Sequence, residues 1–184
     1  MTYFDLTNEK LLQMLEERDN EILGLKKKIE DISIIDEVTS TYNKGYMYKT
    51  LDYEMKRAQR NQSYLNVLML GINNFQSINE KYGDDISNMI LLQIARLIKS
   101  SLRSIDIVGK YSYGDFMIIL PDMNPNKGGI VVDRIQRLMD KEVFPIESRI
   151  TISYGLKHYE GETINRLLDV AEANLNTNRK DFIR

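Results

Sequence analysis

At 184 residues the chain is long enough to bury one ordinary core and carry an appendage. Its formal net charge of −2 gives no bulk electrostatic reason to expect nucleic acid or an anionic membrane as partner. Without cysteine, disulfides, thiolate catalysis and cysteine-ligated metal are excluded, and the single histidine, His158, cannot build a zinc site. His158 falls in a polar stretch after the last predicted strand and reads as an exposed loop residue. No apolar run approaches membrane-spanning length, and the start, Met1-Thr2-Tyr3-Phe4-Asp5, lacks the basic segment of a secretion signal. A soluble, cytoplasmic protein is expected.

Residues 7–35 read as one helix, with Leu11, Leu15, Ile22, Leu25, Ile29 and Ile32 in alternating steps of four and three if Arg18 fills one slot. That is a heptad seam, and it predicts a short parallel coiled-coil homodimer with Glu16, Glu17 and Lys26-Lys27-Lys28 on its solvated faces. The extra Leu12, Leu23 and Ile34 also fit an amphipathic helix folded back on its own domain, and Gly24 weakens the helix. The division is 1–35 as coiled coil, an interaction stub for a protein partner or a piece of a longer protein, and 36–184 as globular domain.

Within the globular part the elements alternate. Residues 46–60 are helix-like, 65–72 form an apolar strand, and 85–102 carry helical spacing at Ile86, Met89, Ile90, Ile94, Leu97 and Ile98. Apolar runs at 105–108 and 116–120, joined by a short turn containing Gly114, read as a β-hairpin. A loop at 121–129, a helix at 129–141, a strand at 149–156 and a helix at 163–178 complete the chain. Strands alternating with helices around a hairpin fit an α/β sandwich.

The hairpin turn Ser112-Tyr113-Gly114-Asp115-Phe116 resembles the Gly-Gly-Asp-Glu-Phe signature of the diguanylate cyclase family. Four further segments resemble the same family in order and spacing. Asp36-Glu37-Val38-Thr39-Ser40-Thr41-Tyr42-Asn43-Lys44 is similar to its opening motif, and Leu65 to Leu70 followed by Gly71-Ile72-Asn73-Asn74-Phe75-Gln76-Ser77-Ile78-Asn79-Glu80 to its first strand and turn. Tyr82-Gly83 and Thr151-Ile152-Ser153-Tyr154-Gly155 match a turn and a late strand. The resemblance covers the chain from Asp36 onward. It implies an α+β sandwich of the nucleotidyl-cyclase and polymerase-palm type, with a mixed, mostly antiparallel sheet flanked by helices.

The family joins two GTP molecules into the bacterial second messenger cyclic di-GMP, a phosphoryl transfer that depends on positioning and on divalent metal. Magnesium needs oxygen ligands. The family's two metal carboxylates fall on Gly71 and Gly114, so no magnesium site and no catalytic residue are expected. Asp115 remains, but a one-residue displacement on a strand turns a side chain to the opposite face, so Asp115 is not expected to replace Gly114. The pocket has drifted as well. Ser112 and Tyr113 restore side chains where glycines admit a phosphate, Asn79 is kept, and Asn88 stands for an Asp that reads guanine. Gln76 stands for a lysine, and Arg179 and Ile183 for the C-terminal phosphate-binding Lys and Arg. By alternation Tyr111 and Tyr113 share one face, filling core or the space GTP would use.

Arg103-Ser104-Ile105-Asp106 matches the offset of the family's inhibitory site, where cyclic di-GMP binds away from catalysis. An arginine fork suits guanine O6 and N7, and a carboxylate suits the guanine N1–H and amino group. Arg134, or Arg137 one helical turn on, completes such a site. Alternatively Asp106 caps the start of a strand and Arg103 is a solvated cation at a helix end. The resemblance therefore implies a catalytically inactive receptor for cyclic di-GMP that needs no cofactor and signals by rearranging a dimer or a protein partner. A nucleotide-independent scaffold, or GTP binding without turnover, are the other readings.

Overall fold

Leu65–Ile72 forms β1, buried at all eight positions, the pattern of a strand covered on both faces. In a computed structural model, which describes residues 8–181, it is an inner strand of a four-stranded sheet. β2 (Ile107–Ser112), β3 (Asp115–Pro121) and β4 (Ile152–His158) complete the order β2-β3-β1-β4, with every neighbouring pair antiparallel. Among the described residues parallel geometry enters only at an isolated bridge between Tyr42 and Gly109.

Alternation along the strands sorts the core into two layers. Leu65, Val67, Met69, Met117 and Ile119 face α2 (Lys44–Asn61) and α5 (Ile164–Asp181). Leu68, Leu70, Ile72, Phe116 and Ile118 face α3 (Phe75–Ser101) and α4 (Gly128–Met139). The result is the helix-flanked antiparallel sheet expected of a cyclase-type palm.

Local chemistry sets the boundaries. α2 starts at Lys44 because the Asn43 side chain accepts the Tyr46 amide at 2.8 Å. α3 begins ten residues ahead of the predicted 85, because two helical stretches join across Gly83 at φ 81°. The apolar spacing marks only the second stretch. α5 approaches β4 so closely at Gly155 that an added Cβ would collide with the Ala171 carbonyl oxygen and the Leu175 amide nitrogen.

Both outer strands are covered by the chain itself. Along β2, the Tyr42 amide donates to Val108 O at 3.3 Å and the Lys110 amide to Tyr42 O at 2.7 Å. Along β4, Asn178 Oδ1 accepts the Tyr154 amide at 3.1 Å and Asn174 Nδ2 donates to Leu156 O at 3.0 Å. His158 is not a loop residue: it closes β4 opposite Asn66, half-buried, with Nδ1 2.9 Å from Leu65 O and its ring 5.8 Å from that of Tyr64. Strand pairing with β1 carries β4 two residues past the predicted end.

The N-terminal helix α1 (Asn8–Ile32) is a separate unit, the chain dividing between Ile34 and Ile35. Its Leu12, Leu15, Ile22 and Leu23 are exposed. The side chains of Leu25, Ile29, Ile32 and Lys26-Lys27-Lys28, like Ile183, lie outside the described residues. Among the described residues no helix is long and apolar enough to cross a membrane.

Candidate functional site

β1 and β3 end side by side at the signature hairpin, where Gly71 pairs with Asp115 and the Ile72 amide donates to Gly114 O at 3.0 Å. A side chain at Gly114 would press on Phe75, whose Cβ would lie 2.9 Å from it. Gly114 therefore seats Phe75 at the start of α3. As a one-residue displacement predicts, Asp115 lies on the face opposite Gly114, whose added Cβ would meet Phe75. The register of Asp115 opposite Gly71 puts both on the face covered by α5, and Asp115 Oδ1 lies 2.6 Å from where a Gly71 Cβ would be. Arg179 of α5 reaches into the same space and pairs with Asp115 Oδ1, while Ser112 Oγ donates to Oδ2 at 2.7 Å.

A register shift between Lys110 and Ser112 bulges β2 and breaks the alternation that would place Tyr111 and Tyr113 together. Tyr111 joins the α2/α5 layer: its hydroxyl donates to Glu172, and Tyr48 Oη lies 3.3 Å away. Burial, then the Glu172 hydrogen bond, pushes its phenol pKa up. Tyr113 instead meets Phe75 edge-on, ring centroids 5.1 Å apart, and is exposed. The other pocket positions spread along α3, Asn79 half-buried before Gly83 and Asn88 exposed after it, with Gln76 Nε2 donating to Glu80 at 2.8 Å.

Lys110 ties the hairpin turn by donating to the carbonyls of Ser112 and, at 2.6 Å, Tyr113, with Nζ 5.1 Å from the centroid of the Phe116 ring. Burial lowers its pKa to about 8, against an upward pull from Asp36 and Asp115. Between about 8 and the ordinary 10.5 the unfolded chain holds the extra proton, so folding gains stability as pH rises through that window and loses it as pH falls through the folded value. Urea midpoints of the protein and of Lys110→Met, compared at pH 7 and pH 10, check this. The native chain should gain on the variant at the higher pH, and an unchanged difference rules the shift out.

A second cluster lies at the opposite end of the β1–β3 pair. Tyr64, Arg103, Asp122, Lys127, Ile130 and Arg134 line a groove of about 440 Å³. Of the four residues expected to bind cyclic di-GMP, Arg103 and Arg134 share this groove. Asp106 lies beneath Arg103 with its side chain 0% exposed, against 40% for Arg103. Arg137 is not among the lining residues, and its Nε donates to Asp133 O at 3.2 Å.

Asp106 accepts the Arg103 amide at 2.8 Å and Arg103 Nη2 at 2.6 Å, and Nη2 also donates to Pro121 O at 2.9 Å. The Asp106 hydrogen bond raises the Arg103 pKa. With Nε and Nη2 engaged, the Nη1 hydrogens remain for a ligand. Both structural alternatives for this motif therefore hold in part: Asp106 caps the turn, and Arg103 is half-exposed at the end of α3. Asp122 pairs with Arg57 at 2.8 Å, which also meets Glu54 at 2.9 Å, and Arg103 is paired with Asp106, so the groove's positive charge outside these ion pairs comes from Lys127 and Arg134. Sequence reasoning missed Tyr64 and Lys127. The one available signal was the β1–β3 register, which pairs Leu65 with Pro121 and so brings Tyr64 beside Asp122, whose amide donates to Tyr64 O at 2.8 Å.

Similar proteins share this architecture. SiaD of Pseudomonas aeruginosa, a diguanylate cyclase solved in complex with its activator SiaC, superimposes with a TM-score of 0.77 at 24% identity, over 94% of this chain and 68% of that one. The coiled coil and GGDEF domain of DgcB from Caulobacter crescentus, solved in complex with c-di-GMP, gives 0.77 at 18% identity, over 93% and 95%. At these identities the likeness is one of fold. In sequence, the response regulator PleD of Caulobacter vibrioides is 28% identical over 149 residues, 77% of this chain and 33% of PleD. The chain spans between 24% and 34% of the length of the curated relatives it matches. The family model described as "Diguanylate cyclase, GGDEF domain" matches residues 33–182. By its sheet, its hairpin and this match, the chain belongs to the diguanylate cyclase family, carrying a GGDEF domain whose signature reads Ser112-Tyr113-Gly114-Asp115-Phe116.

Proposed function

We propose that this GGDEF domain is catalytically silent and serves as a cytoplasmic receptor for cyclic di-GMP, bound in the groove of Arg103 and Arg134. The observation that carries the reading is the contrast between the two ends of the sheet. At the signature end the two metal positions are glycines and the remaining carboxylate is held by Arg179 and Ser112. At the other end, arginines 31 residues apart in sequence converge with Lys127 on one groove beside the ring of Tyr64. Cations and an aromatic wall suit a ligand with two phosphates and two purines. DgcB, solved with c-di-GMP, supports the ligand class.

Asp106 acts here as a positioning residue that fixes Arg103 rather than as a reader of the guanine edge. Output runs through the N-terminal helix as a homodimer seam or through a protein partner. DgcB's coiled coil and SiaD's complex with SiaC are parallels.

Calorimetric titration with cyclic di-GMP, run beside GTP with magnesium, tests the reading. Micromolar or tighter binding without product is expected, and Arg134→Ala should weaken it about 10- to 100-fold, the loss of one charged hydrogen bond. Conversion of GTP to cyclic di-GMP, or full affinity in Arg134→Ala, would overturn it. The internal engagement of Arg103 favours a second reading, a scaffold that binds no nucleotide, and silence in every titration would select it.

A further inference from the structure

The family's divalent metal does not fit the residues at the signature end. Gly71 and Gly114 supply no ligand, and both oxygens of Asp115 already accept hydrogen bonds. Among the described residues no group of three or more His, Asp or Glu is placed to hold a metal ion. Yet the space over Gly71 is filled, and by a positive charge: the guanidinium of Arg179 lies where a Gly71 side chain would project.

We infer that Arg179 is a tethered cation standing in for the metal, and that its ion pair with Asp115 closes the vestigial centre to divalent ions. The charges balance. The family's arrangement sets two carboxylates against divalent charge, whereas here one carboxylate meets one guanidinium. The pair is largely sheltered, with side-chain exposures of 28% for Arg179 and 17% for Asp115, so water screens it less than a surface pair. A guanidinium does not deprotonate in proteins, so the charge persists at any working pH. Gly71 is what admits it, because any Cβ there would collide with Nη2. The glycine at 71 thus opens the space into which the cation at 179, at the position of the family's phosphate-binding lysine, reaches. A tether through α5 also gives the centre an intramolecular occupant at high effective concentration, which a free ion must displace.

The inference rests on the reading of this centre as silent, and the two fail separately: GTP turnover by the native chain sinks that reading, whereas metal access bears on Arg179. The experiment is Mn2+ titration of the full chain, observed as paramagnetic loss of the Gly114, Asp115 and Phe116 amide signals. Four proteins are compared: native, Gly71→Asp, Arg179→Ala, and the double variant. Gly71→Asp meets only the ends of flexible side chains, Arg179 and Asp115, and dispersed amide spectra verify each fold. Selective, saturable signal loss is expected in the double variant and not in the native chain, with Gly71→Asp, whose Cβ displaces the guanidinium without removing it, between them. Equal loss in the native chain overturns the inference, because Arg179 then does not exclude the ion. No loss in the double variant also overturns it, since something other than Arg179 then keeps the ion out.

Discussion

Gly155→Ala is expected to destabilise the domain by about 3 kcal/mol, the upper end of the usual range for overpacking. The atoms that an added methyl would meet, the Ala171 carbonyl oxygen and the Leu175 amide nitrogen, belong to the backbone of α5 and cannot rotate away. Relief requires the whole helix to lift from β4. That lift would draw Leu167, Leu168, Ala171 and Leu175 off the layer they share with Val67 and Met69. Urea denaturation measures the loss. Gly129→Ala on α4 is the control, because its added Cβ meets nothing within 4 Å and only narrows the unfolded chain. Equal midpoints for the two variants would show that α5 can yield at this crossing.

The second large effect concerns Arg103 and Asp106. Arg103→Ala should cost about 2 kcal/mol, within the range for a buried acceptor that loses its partner, because Asp106, 0% exposed, then keeps only the residue 103 amide of these bonds. Replacing both, as Arg103→Gln with Asp106→Asn, removes both charges together and should cost much less than the sum of the single changes. A double-mutant cycle in urea should therefore return a coupling above about 1 kcal/mol, whereas additivity within about 0.5 kcal/mol would mean the pair contributes nothing jointly. The consequence for ligand work is practical. A binding defect in Arg103→Ala mixes recognition with stability, whereas Arg134 is exposed and probes recognition alone.

How far the sequence revealed this molecule depends on whether the deciding interaction was local. The apolar run of β1, the heptad-like spacing of α1 and the helical period of α4 are local, and each element lies where its pattern puts it. The first half of α3 was hidden because Gly83 and polar neighbours interrupt the period, although the helix resumes beyond the kink. The direction of Asp115, opposite to that of Gly114, follows from local parity, but its meeting with Gly71 depends on a cross-strand pairing 44 residues away in sequence. For the tyrosines parity fails, because their alternation is broken by a bulge that no residue type in the turn announces. The glycines at 71 and 114 and the Arg103 motif are visible from position alone. The neighbours that give each its meaning, Arg179 in one case and Tyr64 with Lys127 in the other, arrive from distant segments.

The covering of the outer strands has a consequence for how this domain can associate. An open strand edge offers unpaired amides and carbonyls to any second chain. On β4 the side-chain amides of Asn174 and Asn178, one turn apart on α5, mimic the donor and acceptor of a fifth strand. On β2 the segment around Tyr42 does the same with its own backbone. At these positions the sheet is capped at both ends from within. Growth of this domain by strand addition, the route toward domain swapping and fibre formation, is thereby discouraged, which directs self-association toward side-chain surfaces instead.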